Sequence, residues 1–402
     1  MSDKSKSNPG GYPCGGGRAD EEREHKQNHS SDRRRFLRWG AAAGAGVAAG
    51  GLLACKQKAG KPAPGSGPAG GGAMARPGPS PEPRTSPPKR ATSKPFAGRS
   101  KVVQVVHSKV YNDKGQLVQQ TVQQMVDQAV MDLTGKTSAK DAWSSLFSPK
   151  EKVGLKPNML GRHLLWTNTA TVAAIVAGLK SAGVREENMY MWDLKAFDIS
   201  PLYKHFRKTK MHVKTTRDWG YGSTAHKIDS GKTTHLVKPF EKVDAIVNIP
   251  VIKDHKLAGV TCALKSIYGS IDNPRDMHAG VTEMACNPMA AELSALPAVR
   301  SKYRLILADA HRILIEGGPW GNVEHRRQLN SVFAATDPVA MDRVAWTIID
   351  EHRIKAKLGA LTDRKAGAKG RMGHPLHVLT AEKLGLGTAT PKHIDHVVKT
   401  LG

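Results

Sequence analysis

The sequence predicts an α/β protein with a mainly parallel sheet covered by helices on both faces, and two lobes are the alternative arrangement. From about residue 100 onward, short apolar runs alternate with stretches of helical periodicity, which is typical of a parallel sheet. The folded part has about 300 residues, enough for one large domain or two lobes. In such sheets, ligands bind beyond the carboxyl ends of the strands.

Each element follows from its apolar pattern along the chain. Gly135 provides a stop signal for the first helix, and Asp337 followed by Pro338 provides a start signal for the last. The predicted strands are 101–108, 152–158, 188–194, 243–252, 304–310 and 329–337, and the predicted helices are 116–135, 168–184, 257–269 and 338–352.

The first 55 residues are predicted to be an export signal. Residues 33–38, "RRRFLR", resemble the twin-arginine export signal, with Arg33 and Arg34 as the pair. Residues 39–54 are weakly apolar and shorter than the roughly 20 residues of a membrane span, as in a signal peptide. Residues 52–55, "LLAC", resemble a bacterial lipobox, which implies cleavage before Cys55 and acylation of its thiol. The alternative for the apolar run is a buried core helix, and the alternative for Cys55 is a cysteine that occurs there by chance.

Residues 56–99 are predicted to be a disordered tether because they are rich in Pro, Gly and Ala and cannot form a core. The α/β domain then occupies residues 100–402. We therefore expect a membrane-anchored lipoprotein on the periplasmic side of the cell envelope. Its expected partners are the twin-arginine export machinery and the membrane, through lipidated Cys55.

Composition limits the ligands. The formal net charge of +26 favours anionic partners, including a small anionic ligand. Nucleic acid is not expected as a partner, because the predicted location is the cell envelope and aromatic residues make up only 5% of the chain. Cofactors stay unknown, but the absence of any CxxC motif excludes a cysteine-ligated iron–sulfur cluster within this chain. Cys262 and Cys286 are expected to be two buried thiols, with a disulfide as the alternative.

Polar residues concentrate where the predicted strands end, and they form the candidate site. The proposed proton-transfer groups are His255 and His278. Thr261 and Lys265 are four residues apart, on one face of the predicted helix 257–269. The candidates for binding an anionic ligand are Lys156, Asn158, Lys253, Thr261, Lys265 and Arg275, and those for holding a metal are His255, His278, Asp309 and His311.

Four segments carry a family resemblance: "VGLKPN", "VNIPVIKDHKLAGVTCALKSIYG", "GGPWG" and "ATDPVAMDRVAW". In this order they resemble the bacterial and archaeal family called domain of unknown function 362, over roughly 100–350. The family usually continues its second lysine motif as Lys-Asn, whereas this chain has Lys265-Ser266. Many relatives carry ferredoxin-like clusters, which implies a redox setting. The resemblance supplies no reaction.

Three functions stay open on the sequence. The domain could be an enzyme acting on an anionic substrate, with lysines holding negative groups and histidines transferring protons. It could be a redox-associated accessory protein that binds a metal or cofactor. It could also be a non-catalytic envelope protein that binds polyanions, which salt-sensitive and chemically unselective binding would indicate.

Overall fold

A computed structural model describes residues 98–161, 164–278, 285–319, 321–365 and 373–402. The export signal with Arg33 and Arg34, the lipidation site at Cys55 and the tether as far as residue 97 lie outside these ranges. The described residues belong to one compact unit rather than two lobes.

Twelve strands are present in the described residues, and ten of them form one sheet in the order β12-β1-β11-β10-β7-β2-β3-β4, with β8 paired to β10 and β9. β5 and β6 form a separate antiparallel pair. The strands are β1 (Ser100–His107), β2 (Val153–Pro157), β3 (Met189–Asp193), β4 (His212–Thr215), β5 (Tyr221–Lys227), β6 (Thr233–Val237), β7 (Ala245–Ile249), β8 (Val251–His255), β9 (Gly259–Thr261), β10 (Tyr303–Leu314), β11 (Arg326–Ala335) and β12 (Ile394–Leu401).

Most strand pairs of the large sheet are parallel, as predicted; β11 runs antiparallel to both neighbours, and β9 runs antiparallel to β8. The α-helices of the described residues are α1 (Gln119–Thr134), α2 (Ala139–Leu146), α3 (Thr169–Ser181), α4 (Ala196–Phe206), α5 (Thr216–Trp219), α6 (Pro239–Lys242), α7 (Met289–Ala295), α8 (Pro297–Arg300), α9 (Pro338–Lys355) and α10 (Leu376–Lys383). The 3₁₀ helices are Glu186–Asn188, Leu264–Ser270, Asp276–His278, Val323–His325, Leu361–Asp363 and Pro391–His393.

The core lies on both faces of the sheet. On one face Val103 of β1 packs in a cluster with α1, α2 and α3, and on the other its neighbour Val102 packs with α9 and α10. Alternating side chains of a strand point to opposite faces, so this division shows that helices cover both. The predicted α/β class is therefore confirmed.

Helix boundaries follow the predicted signals. Gly135 ends α1 in the left-handed conformation, with φ of 69°. The Asp337 carboxylate accepts hydrogen bonds from the backbone N–H groups of Val339 and Ala340, with Pro338 in the first turn of α9. Both predicted signals are confirmed.

The predicted helix 257–269 is wrong. Residues 259–261 form β9 and pair with β8, and residues 264–270 form a 3₁₀ helix. Gly259 has φ of +74° and its backbone passes close to Gly373 and Pro375, which favours a turn at this point. The Asp342 carboxylate accepts from the backbone N–H groups of Ala263 and Leu264. Tertiary contacts thus override an apolar spacing that resembles a helix.

The predicted strand 243–252 consists of two strands, β7 and β8, separated at Pro250. β8 extends to His255, so Lys253 and His255 lie within a strand and not in the loop after it. Cys262 and Cys286 are buried and form no disulfide, as expected. Within the described ranges, no helix is long and apolar enough to cross a membrane.

Candidate functional site

The candidate site lies at one edge of the large sheet. β2 runs parallel to β3 and β7, and β7 and β8 both run parallel to β10. Their carboxyl ends therefore reach the same edge, where ligands of open α/β sheets bind. The predicted residues Lys156, Asn158, Lys253 and His255 are all at this edge and are all buried.

Lys156 forms a buried ion pair. Its Nζ lies 2.9 Å from Oδ1 of Asp193, the last residue of β3, and 2.6 Å from the carbonyl oxygen of Pro157. A Cβ on Gly269 would lie 2.6 Å from Asp193 Oδ1 and 2.7 Å from Lys156 Nζ, so the backbone at Gly269 covers the pair closely. Lys156 is therefore already neutralised by a carboxylate.

The β8–β9 ribbon presents three candidates on one face. Lys253 is directly opposite Thr261, and His255 is directly opposite Gly259. Residues 253 and 255 share a face because strand side chains alternate, and Thr261 shares it as the cross-strand partner. The Asp254 side chain points to the other face, where its Oδ1 lies 2.5 Å from Nη2 of Arg364. Burial raises the pKa of Asp254 to about 6.

Lys253 is buried among neutral acceptors. Its Nζ donates to Oδ1 of Asn158 at 3.0 Å and to the carbonyl oxygen of Leu160 at 2.5 Å. Burial lowers its pKa to about 7, and the positive charge of Lys265 is the next cause. Among the described residues, no carboxylate forms an ion pair with it.

Lys265 is buried in a similar way. Its Nζ lies 2.9 Å from Nε2 of His278 and 4.4 Å from the centre of the Tyr268 ring. Burial lowers its pKa, and the nearby Cys286 opposes that shift. Within the described ranges Lys265 also has no carboxylate partner. The ammonium groups of Lys253 and Lys265 therefore repel each other, and the groups they contact are neutral.

The two predicted catalytic histidines stack on each other, with ring centroids 5.6 Å apart. His255 Nδ1 accepts from the backbone N–H groups of Leu257 and Ala258, so its proton lies on Nε2. His278 Nδ1 lies 2.7 Å from the carbonyl oxygen of Pro274 and therefore donates to it, which leaves Nε2 to accept from Lys265.

Burial is the main reason why the pKa values of both histidines are lowered. The pKa of His278 falls to about 3, and that of His255 falls well below its ordinary value. Both rings are thus neutral at pH 7. The Nε2–H of His255 can donate to an anion. Neither ring offers an unengaged basic nitrogen, so Lys253 is better suited to accept a proton.

Buried polar atoms without a hydrogen-bond partner among the described residues gather around segment 261–266. Thr261 Oγ1 and Ser266 Oγ belong to the segment itself. Asn248 Oδ1 also lacks a partner, and the Nδ2 of the same side chain donates to Ala263. His377 Nε2 also lacks a partner and lies 3.9 Å from Asp342 Oδ2. The Asp342 carboxylate accepts a hydrogen bond from the backbone N–H of Ala263, within the same segment. An unsatisfied buried polar group costs about 1–3 kcal/mol, so this grouping favours a bound polar ligand.

The other predicted residues lie elsewhere. Arg275 is exposed, in the turn before the 3₁₀ helix Asp276–His278. Asp309 accepts from the backbone N–H of Asn168 and from the Thr171 hydroxyl at the start of α3. His311 Nε2 lies 3.2 Å from the same hydroxyl. The four proposed metal ligands thus form two pairs, and among the described residues no group of three or more His, Cys, Asp or Glu is arranged to hold a metal ion.

Sequence reasoning missed two residues of the site. Asp193 ends the apolar run "MYMWD" of β3. Lys156 was selected because it is a polar residue at the end of a predicted strand, and Asp193 meets the same criterion. His377 is buried in α10, far along the chain, and burial followed by the charge of Lys265 lowers its pKa to about 3. No local pattern distinguishes His377 from a core residue.

The described residues therefore form an α/β protein with a cluster of buried lysine and histidine side chains at the carboxyl edge of its sheet. Residues 153–347 match the family model described as Domain of unknown function (DUF362). This match supports the resemblance predicted from the motifs. It includes Lys156, Lys253, His255, Lys265 and His278, and it excludes the strands β1 and β12.

No curated protein matches the sequence. Among solved structures, the lactate racemase apoprotein from Thermoanaerobacterium thermosaccharolyticum has 12% identity and a TM-score of 0.39, over 58% of this chain and 54% of that chain. A crystal structure of a protein from Thermotoga maritima has 11% identity and a TM-score of 0.35, over 60% of each chain. The chain thus covers less than two thirds of either neighbour, and neither likeness bears on its ligand or reaction.

Proposed function

We propose that this protein binds a small anionic ligand, bearing a carboxylate or phosphate group, between Lys253 and Lys265. The observation that carries the proposal is the burial of two ammonium groups whose described contacts are neutral. Two like charges a few ångströms apart repel by about 1–4 kcal/mol, depending on the local dielectric. An anion between them removes the repulsion and replaces lost solvation.

The surrounding groups suit the same ligand. Thr261 lies opposite Lys253, and its hydroxyl has no hydrogen-bond partner in the described part of the chain. The Nε2–H of His255 can donate to an oxyanion. Both donors are neutral at pH 7, so they orient the ligand without adding to the repulsion between the lysines. Lys156 already forms an ion pair with Asp193 and is not a ligand contact in this proposal.

Lys253 is the candidate for proton transfer. Burial holds its pKa at about 7, so both protonation states are populated near neutral pH, as a general acid or base requires. A bound anion favours the charged form and raises this pKa. Binding near pH 8 should therefore take up protons, and the uptake distinguishes Lys253 from a lysine that stays charged throughout.

The location of this activity is also part of the proposal. We place the domain on the periplasmic side of the envelope, exported through the twin-arginine machinery and attached to the membrane by lipidated Cys55. The support is the sequence alone: Arg33 and Arg34 before a short apolar run, and "LLAC" before a Pro/Gly-rich stretch. Twin-arginine export carries folded proteins, which suits a domain whose site is formed before transport.

Native mass spectrometry of the purified full-length chain tests the ligand proposal first, because a bound small molecule adds a defined mass. Thermal unfolding with phosphate, phosphorylated sugars and small hydroxycarboxylates then ranks the classes. A ligand at 100 times its dissociation constant stabilises by about 2.7 kcal/mol. The absence of both added mass and stabilisation by every anion would contradict the proposal.

A further inference from the structure

Four residues outside the lysine site form an arginine cluster: Tyr111, His311, Arg312 and Arg326. The Arg312 guanidinium lies over the Tyr111 ring, 4.9 Å from its centre. His311 meets the same ring edge to face, with centroids 6.4 Å apart. Adjacent residues of a regular strand point to opposite faces, so His311 and Arg312 should not both reach one ring.

The pairing of β10 with β11 is irregular at this point. The register between β10 and β11 shifts between Ala310 and Arg312, where His311 alone lies opposite Leu329 and Asn330, so the extra residue is in β11. A β-bulge redirects a side chain, and bulges are over-represented beside functional sites. The bulge thus lies directly opposite His311, next to Arg312, and both of these side chains contact the Tyr111 ring.

The second arginine lies on the same face. Arg312 is paired with Gln328, and Arg326 is paired with Leu314, so the two arginines are diagonal neighbours across β10 and β11. Burial lowers the pKa of Arg326, and the charge of Arg312 is the next cause. Arg326 Nη1 donates to the carbonyl oxygen of Leu164 at 3.3 Å. Among the described residues, no carboxylate forms an ion pair with either guanidinium.

A buried hydrogen-bond acceptor that has no partner among the described residues lies beside these cations. His311 is fully buried, and its Nδ1 has no hydrogen-bond partner among the described residues. Thr171 donates its hydroxyl proton to Asp309 at 2.8 Å and accepts from His311 Nε2 at 3.2 Å. The ring proton of His311 therefore lies on Nε2, and Nδ1 is an acceptor that can receive a hydrogen bond from the O–H of a protonated phosphate group.

We infer that the arginine cluster is a second anion-binding site, which holds a phosphate group between Arg312 and Arg326. Guanidinium groups present planar pairs of N–H donors that match phosphate oxygens, and each can bind in a bidentate manner. The cation–ring contact with Tyr111 orients Arg312 for this purpose. The site is independent of the lysine site, which uses different strands and ammonium donors.

Isothermal titration with inorganic phosphate tests the inference, using the full-length chain carrying Lys265→Met so that the lysine site does not contribute. Phosphate should still bind. Arg312→Gln or Arg326→Gln should weaken it about tenfold or more, since one charged hydrogen bond is lost. Arg327→Gln is the matched control on the other face of β11, and Arg312→Lys checks folding while keeping the charge. Phosphate affinity that is unchanged by Arg312→Gln and Arg326→Gln overturns the inference.

A parallel arm identifies the source of the phosphate. Vesicles of phosphatidylglycerol and of phosphatidylcholine are compared by flotation with the same variants. Binding of free phosphate indicates a soluble ligand, whereas arginine-dependent binding of phosphatidylglycerol vesicles alone indicates a lipid headgroup, and either result supports the site. Failure of both probes to depend on Arg312 and Arg326 rejects it.

Discussion

Lys253 and Thr261 lie directly opposite each other across the β8–β9 pair, and both side chains are buried. The ammonium group contacts two neutral oxygens, and the hydroxyl oxygen lacks a hydrogen-bond partner among the described residues. A buried cation beside an unengaged hydroxyl is unfavourable in the ligand-free protein. The same pair is well arranged for one oxygen of an anion.

Lys253→Met should stabilise the ligand-free domain near neutral pH. The pKa of Lys253 is about 7 in the folded protein and ordinarily 10.5, so between these values the unfolded chain binds more protons. Stability contributed by this residue therefore rises with pH across that window, and the penalty is largest below about pH 7. Removing the buried charge should raise the free energy of unfolding by about 1–4 kcal/mol there.

Urea unfolding of wild type and Lys253→Met at several pH values measures this difference, which should shrink toward about pH 10. Lys140→Met, at an exposed lysine of α2, is the matched control and should show little change at any pH. A wild type that is more stable than Lys253→Met at neutral pH, or a difference independent of pH, would show that Lys253 is a structural cation.

Asp193→Asn should destabilise the domain strongly. It removes the carboxylate partner of Lys156 and leaves that ammonium buried under the backbone of Gly269. Breaking a buried pair in this way costs about 3–5 kcal/mol. The control is Glu186→Gln, which breaks the more exposed pair with Lys180 and should cost about 0–1 kcal/mol. Equal effects of the two substitutions on the melting temperature would contradict the assignment of Lys156 as a supporting residue.

Export should depend on Arg33 and Arg34. Replacing both with Lys should retain the protein in the cytoplasm, because the twin-arginine machinery reads the arginine pair. Cys55→Ala should prevent acylation and release the exported protein from the membrane. Cell fractionation with detection of lipid labelling measures both results. A double lysine variant that still reaches the envelope as a lipoprotein rules out the twin-arginine interpretation.

The boundary near residue 100 should appear in limited proteolysis. We expect early cleavage within 56–97, because a Pro/Gly-rich stretch cannot form a core, and a resistant product that begins close to β1. Ser100 is buried and its hydroxyl donates to Asp337, so β1 belongs to the stable unit. Early cutting inside 164–278 would contradict a single compact domain.

The sequence predicted much of the architecture because local signals agreed with the tertiary structure. Asp337 before Pro338 started a helix, and apolar runs became buried strands. The prediction of a helix at 257–269 was wrong because the backbone turns at Gly259, beside Gly373 and Pro375, and β9 pairs with β8. The apolar spacing of the segment does not reveal either interaction. The edge position of Lys156 and Lys253 could be predicted from strand ends. The pairing of Lys156 with Asp193, and the place of His377, depend on which strands and helices become neighbours.

The effect of Lys265→Met on thermal unfolding, with and without an anionic ligand, tests the central claim most directly. Lys265 contacts His278 and the Tyr268 ring, and burial lowers its pKa, so its charge is unfavourable until an anion binds. The account predicts a melting temperature for the ligand-free variant that is equal to or above that of wild type, together with loss of the stabilisation that the ligand gives. A lower melting temperature without ligand, and unchanged stabilisation with ligand, would contradict the shared anion site.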